Sequence, residues 1–343
     1  MKNIANFASS VILAVCAASV SSFADGMPTG YTQDDAYLFA YFSDKGHGRR
    51  RGEAAGMRLA YSYDGLKWTA LNGERPFLVP EVGKAKLLRD PSICRGPDGT
   101  FHVVWTTGWG ERVIGHATSK DLVEWSAQQE IPVMAHEPAA RNCWAPEVTY
   151  DPAGGLFYIY WATSIPGRHS GDGVNQKGKS NHRIYVTTTK DWKSFSPTRL
   201  WFNPDFSAID AALVRVGGRW LMTVKNENDN TGPGHPAEKN IRTVWTDSLE
   251  EPWEGKAISA PINFTRDWVE GPSPLIVGNA IYVYFDCYMK HRYGAVKSID
   301  GGKTWRDASS EVSFPRGIRH GTAFAVPKKM VDALVGRYAA TGE

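Results

Sequence analysis

The chain has 343 residues, a formal net charge of +3, 42% hydrophobic residues and 13 tryptophans. This composition suits a globular protein with a large core, and no segment is biased enough to read as disordered. The small charge excludes the strongly basic balance of a nucleic-acid or membrane-surface binder.

At the N-terminus, Lys2 precedes an apolar run from Val11 to Val20 and the small-residue segment Ser21-Ser22-Phe23-Ala24. A charged start, an apolar middle and a small-x-small exit describe a secretory signal peptide over residues 1–24, cleaved near Ala24. The run is shorter than the roughly 20 residues that span a bilayer. Lipidation at Cys16 is disfavoured by the bulk of Val15 before it. The expected product is a secreted or periplasmic protein without a membrane span, folded as one domain over residues 25–343. An all-β chain of that length commonly forms a single unit. Three cysteines remain after Ala24: Cys94, Cys143 and Cys287. An odd number makes no disulfide framework, although an oxidising compartment permits one bridge such as Cys94–Cys143.

The first predicted strand is Tyr37–Phe42, and its type recurs as Phe101–Trp105, Phe157–Trp161, Trp220–Val224 and Ile281–Phe285. Tight turns such as Pro97-Asp98-Gly99 and Gly217-Gly218 precede the later copies. A second pattern, Ser or Thr followed by Asp and then an aromatic residue, recurs out of phase with the first. Its copies run Ser62 to Trp68, Ser119 to Trp125, Thr189 to Phe195, Thr246 to Trp253 and Ser298 to Trp305. Asp and Gly suit those turns, and the aromatic residue can pack back under the preceding strand. Five all-strand repeats predict a five-bladed β-propeller with four-stranded antiparallel blades. Only Lys329 to Arg337 reads as helix. The strand at Tyr37 lacks an inner neighbour, and the segment from His320 to Val326 supplies one. Pairing the two ends closes the ring without a free edge.

The innermost strands should begin at Arg89-Asp90-Pro91, Trp144-Ala145-Pro146-Glu147, Ile209-Asp210-Ala211, Glu270-Gly271-Pro272 and Arg319-His320-Gly321. Asp90, Glu147, Asp210, Glu270 and His320 then open five successive strands, and the ring gathers them at one mouth of the channel. Like charges held close destabilise a fold and raise some of their own pKa values, and such arrangements cluster at active sites. The loops on that side, Ser43 to Met57, Ser164 to His182 and Asn226 to Asn240, are long and polar, as binding loops are. Grouped carboxylates without a His/Cys ligand cluster suit glycoside hydrolysis, which needs one acid for the leaving oxygen and a second carboxylate for water or the anomeric carbon. Trp109 and Trp144 are candidates for stacking on a sugar. Arg89, Arg319, His182 and Arg183 are candidates for binding its hydroxyls, whereas Trp161 and Trp220 suit the core.

At these residues the chain resembles glycoside hydrolase family 43, the arabinofuranosidase and xylosidase propellers. Arg89-Asp90-Pro91-Ser92-Ile93 resembles the motif of that family's general base. Ala208-Ile209-Asp210 resembles that of the aspartate that modulates the acid, and Val269-Glu270-Gly271-Pro272 that of the general acid. The resemblance implies an inverting reaction in which Asp90, Asp210 and Glu270 are catalytic and no cofactor is required. It also implies that His320 faces the channel and helps hold a hydrated cation, often calcium, through water. Glu147 is assigned to substrate hydroxyls, although its role could be exchanged with that of Asp210. The substrate class expected is an oligo- or polysaccharide, and the activity an exo-acting α-L-arabinofuranosidase, with β-xylosidase or β-galactofuranosidase as alternatives. A non-catalytic sugar-binding propeller would not need four converging acids. A sialidase-like enzyme would need a tyrosine nucleophile and an arginine cluster.

Overall fold

The computed structural model describes residues 35–43, 56–169, 181–228 and 238–339. The signal-peptide segment and most of the three long mouth loops lie outside the described residues. Nineteen strands among them form five antiparallel sheets arranged as a ring.

Blade 1 takes β19 (Ile318–Pro327), β1 (Asp35–Ser43), β2 (Arg58–Ser62) and β3 (Thr69–Ala70). Here the C-terminal strand pairs with the N-terminal one, from Asp35 opposite Pro327 to Ser43 opposite Ile318, which closes the ring as expected. Blade 2 takes β4 (Arg89–Arg95), β5 (Phe101–Thr106), β6 (Ile114–Ser119) and β7 (Gln129–Ile131), and blade 3 takes β8 (Trp144–Asp151), β9 (Leu156–Ser164), β10 (His182–Thr189) and β11 (Arg199–Phe202). Blade 4 has three full strands, β12 (Ala208–Val216), β13 (Arg219–Asn226) and β14 (Asn240–Thr246). Its outer position is filled by a single bridge, Val244 to Ile258. Blade 5 takes β15 (Glu270–Val277), β16 (Ala280–Cys287), β17 (Arg292–Ser298) and β18 (Arg306–Asp307). The one helix among the described residues, α1 (Lys328–Ala339), follows β19 and buries Val331 and Leu334 in the core shared with blades 1 and 2.

Apolar clusters lie between neighbouring blades, because both faces of each blade are covered. Phe39 of blade 1 meets Tyr284 and Tyr293 of blade 5 in one cluster, and Tyr160 of blade 3 meets Met222 of blade 4 in another. The recurring turn aromatics belong to this packing: Trp68 and Trp253 are buried, and Trp68 stacks on Phe314. Trp161 and Trp220 are core residues. Cys94, Cys143 and Cys287 are free thiols, so the permitted Cys94–Cys143 bridge is not made. No helix among the described residues is long and apolar enough to cross a membrane.

Candidate active site

All five inner strands begin with a pairing shift; β19 has one between Ile318 and Gly321 without a left-handed residue, and the other four are of one kind. In these four the pairing to the second strand shifts between Arg89 and Ser92, Trp144 and Glu147, Ile209 and Ala212, and Glu270 and Ser273. Within each shift one residue is left-handed: Asp90 (φ 51), Ala145 (φ 45), Asp210 (φ 53) and Gly271 (φ 58). Pro91, Pro146 and Pro272 follow directly, where a broken ladder needs no N–H from them. Such bulges bend the strand and re-aim side chains, and a non-glycine left-handed residue costs about 1–2 kcal/mol.

The bulges correct one expectation from the sequence. The four acids do not occupy equivalent positions. Asp90 and Asp210 sit at the left-handed residue itself, where the other two blades have Ala145 and Gly271. Glu270 stands one residue before it and Glu147 two residues after it. Glu270 is accordingly the most exposed of the set, its side chain 18% accessible against 6% for Asp210.

Asp90 accepts a hydrogen bond at Oδ2 from the Thr106 hydroxyl (3.0 Å), which itself accepts one from the Ala145 backbone N–H (2.9 Å). Asp210 Oδ2 accepts the Gly271 N–H at 3.0 Å, so Asp210 is tied to the residue next to Glu270. His320 Nδ1 stands between the two aspartates, 3.4 Å from Asp90 Oδ1 and 3.9 Å from Asp210 Oδ2. A side chain at Gly271 would collide with His320, since a Cβ there would lie 2.5 Å from the ring. Burial pushes the Asp210 carboxyl up to about 6 against the pull of His320 and Lys225, with Glu270 and Asp90 adding to the rise. Burial alone would lower the His320 pKa, but Asp210, Asp90, Glu270 and Glu147 together raise it.

Glu270 is held from both sides. Arg319 Nη2 donates to Oε1 at 2.9 Å, and Lys225 Nζ approaches Oε2 at 3.5 Å. Arg319 in turn donates through Nε to Asp286 Oδ2 at 2.6 Å. Complete burial pushes Asp286 up to about 7 in spite of that arginine. Lys225 Nζ also meets Glu227 (2.7 Å), whose other oxygen meets Lys239 Nζ (2.8 Å). Burial would raise Glu227, but the two ammonium groups outweigh it and lower its pKa.

Thr106, Lys225 and Asp286 were missed in the sequence, yet they share a signal. Each directly follows the apolar run of a second strand, Phe101–Trp105, Trp220–Val224 and Ile281–Phe285, at its mouth end.

Glu147, expected to bind substrate hydroxyls, is buried about as deeply as Asp210. Its two oxygens accept from Ser92 (2.6 Å) and Thr322 (3.4 Å), and burial pushes its carboxyl up to about 7. Arg183 is turned away from the mouth. It is fully buried and bonded to Asn203, Asn181 and the His182 carbonyl, because neighbouring strand residues point to opposite faces. The buried ring of His182 lies under Trp144 at 5.0 Å, and burial lowers its pKa to about 4. Trp144 donates from Nε1 to the Trp109 carbonyl, and the two indoles meet edge to face. The Arg89 guanidinium is sandwiched between Phe42 (4.2 Å) and Trp109 (4.7 Å). Trp109 remains 59% exposed at the rim.

The cation that the family resemblance implies finds no ligand cluster here. No group of three or more His, Cys, Asp or Glu among the described residues is disposed around a metal position. The donor set therefore does not fit direct coordination.

A family model described as "Probable glycosyl hydrolase domain", of the group related to glycosyl hydrolase family 43, matches residues 33–332. The chain is similar to an α-L-arabinofuranosidase of Bifidobacterium longum subsp. longum, 21% identical over 219 residues that are 58% of this chain. It spans about a fifth of that relative, 20% of its length. Among solved structures, a thermostable family-43 glycoside hydrolase superposes with a TM-score of 0.50 at 16% identity, over 68% of this chain and 78% of the other. An α-L-arabinofuranosidase from Lactobacillus brevis gives 0.49 at 18% identity, over 65% and 72%. The first of these superpositions shows the shared five-bladed fold.

Proposed function

This chain belongs to the glycosyl hydrolase 43-related family, and from that premise we propose that it acts on glycosidic bonds as an inverting, exo-acting α-L-arabinofuranosidase. Asp90 is the general base that takes a proton from water, and Glu270 is the general acid that protonates the leaving oxygen. Asp210 holds the Glu270 strand in place and tunes the acid. The observation that carries these roles is the Gly271 N–H bond to Asp210, which couples Asp210 to Glu270 and leaves Asp90 on the other side of His320. It also favours Asp210 over Glu147 as the modulator, because Glu147 is bonded to Ser92 and Thr322.

Inversion requires the base and acid carboxyls roughly 6.5–9.5 Å apart, so that a water fits between base and anomeric carbon. Thr106 and the Ala145 N–H fix the Asp90 carboxylate for that task. The acid and base need opposite protonation states, which a cluster of mutually repelling carboxylates can supply. The arabinofuranosyl preference is supported by the likeness to the Bifidobacterium α-L-arabinofuranosidase, and the exo mode by the length of the three mouth loops.

Aryl glycosides of arabinofuranose, xylose and galactofuranose, assayed beside linear arabinan, test the substrate; strong internal cleavage of arabinan overturns the exo reading. Proton NMR of the first-formed product tests the stereochemistry, and a retained anomer overturns inversion. The reading includes export, with cleavage near Ala24, and N-terminal sequencing of the mature protein checks it.

A further inference from the structure

Beside Glu270 the mouth carries a structure that the three reactive carboxylates do not use. The segment leading into β15 is tied to β14 by the Val269 N–H bonding to the Lys239 carbonyl (3.1 Å). Just before that tie, Trp268 leaves its indole 40% exposed. Its ring centroid lies 6.3 Å from that of Tyr288, which follows the mouth end of β16, with the planes 41° apart. An indole exposed at the rim of a carboxylate cluster offers a flat face on which a sugar ring can stack.

What backs the two rings fixes them. Lys239 Nζ sits 5.2 Å over the Trp268 ring and Lys225 Nζ 4.8 Å over the Tyr288 ring. Glu227 bridges the two ammonium groups, and Lys225 continues to Glu270 Oε2. The indole, the phenol, two lysines and two glutamates therefore form one connected body that ends on Glu270. Flat aromatic rings suit the C–H face of a sugar ring.

We propose that Trp268 and Tyr288 form the binding subsite for the leaving sugar, a glycosyl ring on the reducing side of the scissile bond. The proposal rests on Glu270 being the general acid, because the acid stands beside the leaving oxygen and its neighbours face the departing unit. Trp109, packed on the residue before Asp90, belongs to the opposite rim.

A glycosyl fluoride carries the same transferred sugar but no leaving sugar, so it separates the two roles. Trp268→Ala should lower kcat/KM on the best oligosaccharide about tenfold or more, mainly through KM, and leave the fluoride within about twofold. Trp268→Phe, which keeps a flat ring, should recover most of the loss. An equal fall on both substrates would mean that the indole only supports Glu270, and no fall on either would mean that nothing stacks there. Both results overturn the subsite. Glu270→Gln, run on the same oligosaccharide, keeps the two claims apart: full activity in that variant removes the acid assignment, whatever Trp268→Ala does.

Discussion

The two ends of the blades hold the same residue in opposite conditions. On the far face Asp64, Asp121, Asp191 and Asp300 each follow Ser or Thr by two residues, and each turns one oxygen back onto two backbone N–H groups of its own turn. Those amides and the hydroxyl hold all four below the usual carboxylate range. At the mouth Asp210 has one backbone N–H, is buried, and faces other acids, and its pKa rises. Amide supply and burial, rather than residue type, decide which aspartates titrate low and which titrate high. The looser copy at Thr246 underlines the point: Asp247 pairs with Arg219 instead, and the Thr246 and Ser248 hydroxyls cap the turn.

The sharpest break of this comparison is to remove one carboxylate at each end. Asp90→Asn should cut kcat on natural oligosaccharides by roughly 10³-fold or more, whereas Asp300→Asn should leave kcat unchanged and lower the melting temperature. Comparable activity losses in the two variants would erase the distinction between the ends. Glu270→Gln should cripple substrates with poor leaving groups and spare activated aryl glycosides, because an activated leaving group needs no proton in the transition state.

Gly271→Ala comes next. The new Cβ meets His320 in a backbone region that disfavours any side chain, and the cost should be about 2–4 kcal/mol in chemical denaturation, with activity lost in parallel. Retained stability would show that His320 can move aside.

A smaller effect separates the ends by pH. Glu147 and Asp210 have folded pKa values above their unfolded ones, so the folded state holds the extra protons. Their stabilising contribution is present below about pH 4 and is lost as pH rises through about 6 to 7. Glu147→Gln should therefore gain about 1–3 kcal/mol near pH 8 and little near pH 4. The buried pair His102 and His116, near the far face, works the other way. Burial holds them at about 4 and about 3, below the ordinary imidazole value of about 6.5, so stability falls as pH drops below that value. Thermal melts of the wild type and Glu147→Gln across pH 4 to 8 should show both slopes.

Much of this molecule was legible in the chain itself. Strand alternation, the recurring Ser/Thr-x-Asp turns and the unpaired strand at Tyr37 are local or periodic features. They determined five blades, the closure of β1 on β19 and the gathering of Asp90, Asp210, Glu270 and His320 at one mouth. The depth of each acid was not legible by matching acid to acid, because bulges set it. Matching Pro91, Pro146 and Pro272 instead brings Ala145 and Gly271 level with Asp90. The partners of the mouth acids belong wholly to the tertiary structure. Thr106, Lys225 and the Gly271 N–H reach carboxylates on other strands, Asp286 accepts from Arg319, and Trp268 and Tyr288 meet across a blade. Local sequence fixes where a strand starts and which way its residues alternate. Only the closed ring brings groups tens of residues apart within hydrogen-bonding distance, and there burial and neighbouring charge decide what each acid can do.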